Sequence, residues 1–177
     1  CVVIRISKWT GYIRDKKIEK KFNITIRYIT EETQLGTGGA LLNFCNIYSY
    51  EEFILINGDT WLTEFFVEFL ECNRTSIGLI ESNESSRYGS VQIGPNGRVS
   101  RFLEKGNKST GLINAGVTFF LADDLTQFGS QIESLEKQIY PSLVKNYSLF
   151  GTKLFGEFID IGIPVDYEFF IQNYSVG

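Results

Sequence analysis

The chain has 177 residues, of which 43% are hydrophobic and 15% aromatic, enough to bury the core of one compact domain. Its 17 basic and 21 acidic side chains give a net charge of −4 and are mixed along the sequence, which argues against a surface built to bind nucleic-acid phosphates. No apolar run reaches membrane-spanning length and no signal peptide opens the sequence, so we expect a cytoplasmic location and no membrane partner.

The histidine, methionine and cysteine content limits which catalytic groups, metal sites and disulfides the chain can form. There is no histidine, which excludes Ser-His and Cys-His catalysis and the usual zinc sites within these residues. The three cysteines (Cys1, Cys45 and Cys72) are widely spaced and odd in number, which predicts reduced thiols rather than a disulfide framework. Methionine is also missing, and the sequence begins abruptly in a strand-like run, so we expect a piece of a longer protein.

The first half of the chain alternates between predicted strands and predicted helices. Strands are predicted over Cys1–Ile6, Asn23–Ile29, Phe53–Ile56 and Ser76–Glu81, and helices over Trp9–Phe22, Leu41–Ile47 and Trp61–Cys72. This order is typical of a doubly wound α/β sheet.

The second half has a different pattern. It predicts a hairpin of Ser90–Ile93 and Arg98–Leu103 around the turn Gly94-Pro95-Asn96-Gly97. Strands are predicted over Ile113–Leu121 and Leu149–Phe155. Helices are predicted over Ile132–Lys145, which Pro141 kinks or divides, and over Pro164–Tyr174. No repeat or linker interrupts the chain. We therefore expect one α/β domain over residues 1–177.

The apolar run Phe53–Ile56 leads to the first candidate site. Four consecutive apolar residues predict a strand buried on both faces, as in the middle of a parallel sheet. Asn57-Gly58 ends the run, and glycine permits the sharp exit that places Asp59 just beyond the strand's carboxyl end, where open α/β sheets bind ligands. A carboxylate there suits a hard cation such as magnesium carrying a nucleotide phosphate. Alternatively, Asp59 or Thr60 caps a helix over Trp61–Cys72.

A glycine-rich turn follows the second predicted strand. Gly36-Thr37-Gly38 begins a dinucleotide-binding pattern, but Leu41 stands where the third glycine belongs. Gly106 and Gly111 have the spacing of a phosphate loop, yet Leu112 stands where that loop requires lysine. Neither phosphate cradle is present. The turn therefore predicts either a tight backbone against which a flat base can lie or an ordinary helix entry.

Six short motifs occur in the order found in sugar-phosphate nucleotidyltransferases. They are Leu35-Gly36-Thr37-Gly38-Gly39-Ala40, Asn57-Gly58-Asp59-Thr60, Arg87-Tyr88-Gly89-Ser90-Val91, Phe102-Leu103-Glu104-Lys105, Ile113-Asn114-Ala115-Gly116 and Phe158-Ile159-Asp160-Ile161-Gly162. Each is weakly specific alone, but together they cover most of the chain. The sequence resembles this family, most closely the subgroup that activates mannose 1-phosphate or D-glycero-D-manno-heptose 1-phosphate. The resemblance implies a Rossmann-like nucleotidyltransferase fold with a mixed, mainly parallel sheet flanked by helices.

The resemblance implies a magnesium site on two aspartates. The family's aspartate at the end of the central strand matches Asp59, and the aspartate of its late Asp-x-Gly element matches Asp160. Two carboxylates that converge on one edge from distant strands can hold a cation whose other ligands are water and phosphate oxygens. For Asp160 the alternative is a buried strand-end carboxylate bonded to backbone amides.

The resemblance also implies a nucleotide site. Its residues are Leu35, Gly36, Thr37 and Asp59, with Glu31 at the edge of the base. An ionised carboxylate only accepts hydrogen bonds, which matches the two adjacent donors of guanine, whereas uracil and thymine would place an oxygen against it. GTP is therefore the favoured nucleotide. Alternatively, Glu31 is a solvated loop acid, and Glu32 or main-chain groups read the base.

A site for the sugar 1-phosphate is implied in the second half. Its residues are Gly89, Glu104, Lys105, Asn114 and Gly116, with Tyr88 either beside the sugar or in the core. Glu104 and Asn114 can bond sugar hydroxyls, and Lys105 can neutralise the 1-phosphate and assist catalysis. Gly89 and Gly116 leave backbone open to a sugar ring. Without the neighbouring motifs, Glu104 and Lys105 would be read as a solvated charge pair.

The sequence departs from the family pattern in three places. The N-terminal glycine-rich, arginine-containing loop that wraps the triphosphate, with the Pro-Lys element after it, is not among these residues, so we expect the chain to lack its N-terminal strand-loop-helix and to catalyse poorly or not at all alone. Gly106 stands where proline usually follows the Glu-Lys pair. Ile163 replaces the threonine of Asp-x-Gly-Thr-Pro, which removes an N-cap hydroxyl.

The reaction that the resemblance implies is transfer of a nucleoside monophosphate from an NTP, with GTP favoured, to a heptose- or mannose-type sugar 1-phosphate, giving an NDP-sugar and pyrophosphate. Positioning and charge neutralisation would drive it, without a covalent enzyme intermediate. The product would serve a bacterial surface polysaccharide, and a homo-oligomer is compatible with the sequence. The alternative is a non-catalytic nucleotide- or sugar-binding regulatory subunit of the same fold.

Overall fold

A computed structural model describes residues 2–6, 16–64, 67, 69, 71–83, 88, 90–103 and 111–174. The chain divides into two units. The first contains Cys1–Ser49 and Phe128–Ile139, and the second contains Tyr50–Gln127 and Tyr140–Gly177.

The first unit opens with a strand–helix–strand segment. Strand β1 (Val2–Ile6) lies parallel to β2 (Ile26–Thr30), and helix α1 (Lys16–Phe22) lies between them in the sequence. The chain leaves α1 through Asn23, whose φ of 52° is a left-handed conformation that asparagine tolerates. The Glu19 carboxylate then accepts the N–H of Ile26 at 2.8 Å, which fixes the start of β2. The parallel pair confirms the opening that the sequence predicts.

Helix α2 (Gly36–Ile47) begins five residues earlier than the sequence predicts. The glycine-rich turn is itself the first turn of this helix. The predicted helix over Ile132–Lys145 is divided, as Pro141 indicates. It consists of a π-helical turn over Leu135–Ile139, in the first unit, and helix α3 (Tyr140–Lys145), in which proline occupies an early position where its missing N–H costs little.

The second unit contains most of the strands. They are β3 (Glu52–Ile56), β4 (Thr60–Leu62), β5 (Ser76–Ser82), β6 (Ser90–Ile93), β7 (Val99–Leu103), β8 (Gly111–Leu121), β9 (Phe150–Lys153) and β10 (Phe158–Asp160), with a 3₁₀ turn over Ala122–Leu125 and the final helix α4 (Pro164–Tyr174).

Four of these strands form one sheet in the order β3-β8-β5-β9. β8 is antiparallel to β3 and β5, and β5 is parallel to β9, so β3, β5 and β9 run in the same direction. β6 and β7 form the predicted hairpin around Gly94–Gly97, and β4 pairs antiparallel with β10. Across both units the sheets are mixed, as expected, but four of the six described ladders are antiparallel, so pairing is not mainly parallel.

Two local predictions around β3 are wrong. β3 is at one end of the four-stranded sheet and pairs antiparallel with β8, rather than in the middle of a parallel sheet. Consecutive residues are instead buried in β8, over Ala115–Phe120, and in β5, over Ser76–Ile80. The helix predicted over Trp61–Cys72 starts too early: Trp61 lies in strand β4, because β10 supplies a pairing partner that is distant in sequence. Val67 and Phe69 are helical, and residues 65, 66, 68 and 70 lie outside the described residues.

The core of the second unit covers both faces of β5 and β8. A cluster that includes Phe69, Ile113, Phe119 and Leu154 fills one region, and burial of each such side chain contributes roughly 1.5–3 kcal/mol. Phe120 stacks on Tyr140 of α3 with ring planes 5° apart, and the Tyr140 hydroxyl hydrogen-bonds the buried Thr118 hydroxyl at 2.8 Å. The sheet is therefore a rigid support for the loops at its ends.

Cys45 and Cys72 do not form a disulfide, and burial raises the pKa of the Cys45 thiol, which keeps it protonated. In the portion of the chain that the structure covers, no helix combines the length and the apolar character needed to cross a bilayer.

Candidate functional site

Asp59 lies in the tight turn between β3 and β4. The N–H of Asn57 donates to the carbonyl of Gly116 at 2.8 Å, which ties the end of β3 to β8. The N–H of Thr60 donates to the Asn57 carbonyl at 3.4 Å, closing the turn, and the Asp59 side chain is exposed. The alternative role as a helix cap is wrong, because the residues that follow Asp59 form a strand.

Asp160 is the last residue of β10 and lies directly beside that turn. The antiparallel ladder pairs Asp160 with Thr60, and the N–H of Ile161 donates to the carbonyl of Asp59 at 2.9 Å. Asp160 Oδ1 accepts the N–H of Gly162 at 3.1 Å, and its side chain is half-buried. The structure therefore brings the two predicted aspartates together. The backbone hydrogen bonds that do this join segments far apart in the sequence, so a local sequence pattern could not predict them.

Gly162 keeps the space between the two carboxylates open. A Cβ placed on Gly162 would lie 2.9 Å from Asp59 Oδ2 and 3.1 Å from Asp160 Oδ1, too close for an alanine to fit without displacing them. Both carboxylates therefore approach the same small volume next to Gly162. The candidate site residues named from the sequence omitted Gly162, although the Asp-x-Gly spacing was the signal for it.

The two carboxylates fit a hard divalent cation. Their ionised oxygens are the ligands that magnesium prefers, and one or two protein carboxylates suffice when phosphate and water complete the coordination shell. No cluster of three or more acidic or cysteine side chains able to hold a metal occurs within the described residues. An all-protein cage is therefore not formed by these residues, and the donor set matches a cation that arrives with phosphate.

Asn114 and Gly116 lie on β8 beside the turn that holds Asp59. Asn114 Oδ1 accepts the N–H of Gly116 at 2.9 Å, and the ladder between β5 and β8 shifts register next to Asn114. Gly116 has a φ of 71°, and a Cβ there would lie 2.5 Å from Thr60 Oγ1 and 3.1 Å from Asn57 Nδ2. Glycine is thus required for the conformation and for the close approach of β8 to the Asp59 turn, a role that the sequence did not indicate.

The other predicted sugar-site residues are only partly described. Gly89, Glu104 and Lys105 lie outside the described residues. Tyr88 is half-buried and packs edge-on against Phe158 of β10, with ring centroids 5.5 Å apart, beside the core cluster. Tyr88 therefore packs at the edge of the core, and its partner Phe158 is two residues before Asp160 in the sequence.

Glu31, in the first unit, is not a solvated loop acid. It is only 8% exposed, and its Oε2 accepts the N–H of Leu35 at 3.3 Å, whereas the neighbouring Glu32 is exposed. The bond closes the loop between β2 and α2 and fixes the position of the carboxylate. A buried carboxylate needs hydrogen-bond donors, and the Leu35 amide is one of them.

Leu35, Gly36 and Thr37 begin α2 and are packed against residues 132–138 of the same unit. The Thr37 hydroxyl donates to a Glu136 oxygen at 3.2 Å and accepts the Leu135 N–H at 3.0 Å. A Cβ on Gly36 would collide with the Glu133 carbonyl, and Gly36 has a φ of 71°. Glycine is therefore required at position 36 for the backbone conformation and for the close contact with Glu133, whether or not a base binds there. No motif in the sequence predicted the contact with residues 132–138.

Two proteins similar to this chain are named guanylyltransferases. It is 31% identical to the D-glycero-alpha-D-manno-heptose 1-phosphate guanylyltransferase of Campylobacter jejuni, over 97% of this chain and 78% of that protein. It is 30% identical to the mannose-1-phosphate guanylyltransferase catalytic subunit beta of Drosophila melanogaster, over 87% of this chain but only 44% of that protein.

Solved structures confirm the fold. The crystal structure of HddC from Yersinia pseudotuberculosis superposes with a TM-score of 0.84 at 30% identity, covering 98% of this chain and 78% of that one. The same protein in complex with GMP-PN gives a TM-score of 0.81. The α/β nucleotidyltransferase fold expected from the sequence is thus confirmed. A family model described as nucleotidyl transferase matches residues 2–167, and the chain therefore belongs to the nucleotidyl transferase family.

Proposed function

We propose that this protein transfers a nucleoside monophosphate, preferably GMP from GTP, to the 1-phosphate of a heptose- or mannose-type sugar and releases pyrophosphate. Its relatives carry the names of heptose 1-phosphate and mannose 1-phosphate guanylyltransferases, and a structural neighbour binds GMP-PN. The observation that carries the proposal is that Asp59, just before β4, and Asp160, at the end of β10, approach the same open space at Gly162. The non-catalytic alternative has no support among these relatives.

In this reaction an oxygen of the sugar 1-phosphate attacks the α-phosphorus of GTP in line. The new P–O bond forms as the bond to the bridging oxygen of the β-phosphate breaks, and pyrophosphate leaves with that electron pair. No side chain becomes covalently attached. The protein's part is to position two anions for attack, which is where most of the acceleration of phosphoryl and nucleotidyl transfer arises.

Asp59 and Asp160 would hold magnesium, whose charge offsets that of the phosphates when it is bound. Both carboxylates sit on backbone fixed by hydrogen bonds, so they need not reorganise when the substrates arrive. Among the residues outside the described part of the chain, Lys105 would neutralise the sugar 1-phosphate and Glu104 would accept hydrogen bonds from sugar hydroxyls. Asn114 and the backbone at Gly89 would complete the sugar site, and Gly116, whose N–H and carbonyl bond Asn114 and Asn57, would act by holding Asn114 in place.

Leu35, Gly36 and Thr37 would contact the nucleotide, and Glu31 would select the base. A carboxylate has acceptor capacity for several hydrogen bonds, so Glu31 can bond the Leu35 amide and still accept from the ring N–H and exocyclic amine of guanine. A cytoplasmic location, use of the product for a bacterial surface polysaccharide and self-association remain predictions from the sequence.

The proposal is tested by supplying the full-length protein and magnesium with GTP, ATP, CTP, UTP or dTTP, each paired with mannose 1-phosphate or D-glycero-D-manno-heptose 1-phosphate. Pyrophosphate release and the nucleotide-sugar mass are measured, with the sugar phosphate omitted as the control for hydrolysis. We expect GDP-sugar to form fastest. Absence of a nucleotide sugar in every combination would refute the activity, and a preference for UTP or dTTP would refute the assignment of guanine.

A further inference from the structure

Helix α4 contacts strand β4 through aromatic rings. The Trp61 ring of β4 lies edge-on to the Phe170 ring, with centroids 5.5 Å apart, and its centroid is 4.3 Å from that of Tyr174. Phe170 and Tyr174 also stack on each other at 5.9 Å, because residues four positions apart share one face of a helix. None of the residues of α4, all of which are described, is buried, so the helix depends on surface contacts such as these.

A chain of hydrogen bonds connects the end of α4 to both short strands. The Tyr174 hydroxyl donates to Glu157 Oε2 at 2.8 Å. Glu157, directly before β10, donates its N–H to Thr63 Oγ1 at 2.8 Å and accepts the Thr63 N–H at its carbonyl at 3.2 Å. Thr63 directly follows β4. The last residue of the helix is therefore bonded to the ladder that β4 and β10 form.

Trp61 and α4 contact both segments that carry the aspartates. In β4, Trp61 is two residues after Asp59 and is paired with Ile159, the residue before Asp160. Helix α4 begins four residues after Asp160, and the N–H of Ile163, between them, donates to the Asp160 carbonyl at 3.2 Å. The turn after β10 is therefore held between the β4–β10 ladder and the start of α4, and the Trp61 ring connects the helix to that ladder.

We propose that Trp61 is a positioning residue for the aspartate pair. Its ring holds α4 against β4, and the helix in turn keeps the Asp160 turn beside Asp59. The inference rests on the proposed function, in which both carboxylates bind one cation. Groups that orient metal ligands without touching the metal typically change metal affinity about 10- to 100-fold when they are mutated. The core of the second unit lies around β5 and β8, so loss of the Trp61 ring should loosen this turn and leave the fold intact.

The first test is amide hydrogen exchange, followed by NMR, in the full-length protein without metal or substrate. The N–H of Ile161 donates to the Asp59 carbonyl, so its exchange rate reports whether the two segments stay together. In Trp61→Ala this amide should exchange about tenfold or more faster than in the wild type, while the amides of β8 change far less. Trp61→Phe retains an aromatic ring and should keep most of the protection. Tyr167→Ala, at an exposed position on α4, is the matched control and should resemble the wild type.

The second test is the magnesium dependence of turnover. In Trp61→Ala the magnesium concentration that gives half-maximal turnover should rise about tenfold, because the two carboxylates are less well positioned, while turnover at saturating magnesium largely recovers. The affinity for GTP in EDTA, where no metal is bound, should be unchanged. Trp61→Phe should need much less additional magnesium than Trp61→Ala, and Tyr167→Ala should need none.

Three results would overturn the proposal: unchanged exchange of the Ile161 amide in Trp61→Ala, equal acceleration of the β8 amides, or lower turnover with an unchanged magnesium requirement. The second of these would show a general loss of stability rather than a loosened turn. Failure of the proposed function is distinguishable, because the wild type would then form no nucleotide sugar, whereas hydrogen exchange without substrates still decides whether Trp61 holds the two segments together.

Discussion

At the scale of single residues, Glu31 is the side chain on which base selectivity would depend. Its carboxylate is buried and is oriented by the Leu35 amide, whereas the adjacent Glu32 is exposed. A buried carboxylate pays a desolvation cost that hydrogen-bond donors must offset. Guanine supplies two such donors, and the two neighbouring acids of identical chemistry provide a matched pair for testing this.

Glu31→Gln should reduce the preference for GTP. The glutamine amide replaces one acceptor oxygen with an N–H donor, which would then face a donor of guanine. This mismatch costs about 1–3 kcal/mol, so the GTP-over-UTP ratio of kcat/KM should fall roughly five- to 150-fold. Glu32→Gln is the control and should leave the ratio unchanged. Equal GTP selectivity in Glu31→Gln and the wild type would show that another group reads the base.

Glu104 and Lys105 are predicted to serve the sugar phosphate rather than the nucleotide. Calorimetric titration of Glu104→Gln and Lys105→Ala with each substrate separately should show sugar 1-phosphate affinity weakened about tenfold or more, because charge-assisted hydrogen bonds are lost. Nucleotide affinity should change little. Lys145→Ala, at an exposed position at the end of α3, is the control. A loss confined to GTP would contradict the assignment.

The sequence identified individual residues well where a residue type and a short spacing both point to the chemistry. Asp59 and Asp160 were named from their motifs, and the structure brings them together. The burial of Glu31 and the contacts of Thr37 with residues 135 and 136 could not be predicted. Both depend on which distant side chains surround a residue, and short patterns carry no information about that.

At the scale of elements, the candidate site depends on the close approach of three segments. The β3–β4 turn carries Asp59, β10 carries Asp160, and the irregular part of β8 at Gly116 bonds to Asn57. Gly116 combines a left-handed backbone with contacts at 2.5 Å to the position of an added Cβ. The close contact at Gly116 therefore fixes the position of the Asp59 turn against β8.

Gly116→Ala should destabilise the protein by about 2–4 kcal/mol, from the left-handed conformation and the overlap with Thr60 together. The free energy of unfolding is measured by chemical denaturation. Gly129→Ala is the matched control, because an added Cβ there meets nothing within 4 Å, and it should change stability by less than about 0.5 kcal/mol. Equal stabilities for the two variants would contradict the packing described at Gly116.

Element boundaries followed from the sequence where the signal is local. The hairpin of β6 and β7 and the helix beginning at Pro164 lie where turn residues and proline placed them. β4 was missed because three residues become a strand only through pairing with β10, almost 100 positions away. The apolar run of β3 suggested a buried central strand, but β3 lies at one end of the four-stranded sheet, none of its residues is buried, and Ile56 is exposed.

At the scale of the whole molecule, the negative net charge means that anionic substrates depend on cationic groups at the binding site. The chain has a net charge of −4 and both proposed substrates are anions, so binding must come from specific sites rather than from the overall field. The family match from residue 2 to residue 167 extends over residues of both units. The proposed nucleotide residues Leu35, Gly36 and Thr37 belong to the first unit, and the two aspartates belong to the second.

The most direct measurement is the magnesium dependence of GDP-sugar formation by Asp59→Asn and Asp160→Asn. Each substitution keeps the side-chain shape and removes a metal-binding charge, so turnover should fall about a hundredfold or more at every magnesium concentration while the circular dichroism spectrum is retained. Asp123→Asn, at an exposed aspartate outside the site, should behave like the wild type. Near-wild-type turnover of both site variants at saturating magnesium would contradict the proposed role of the aspartate pair.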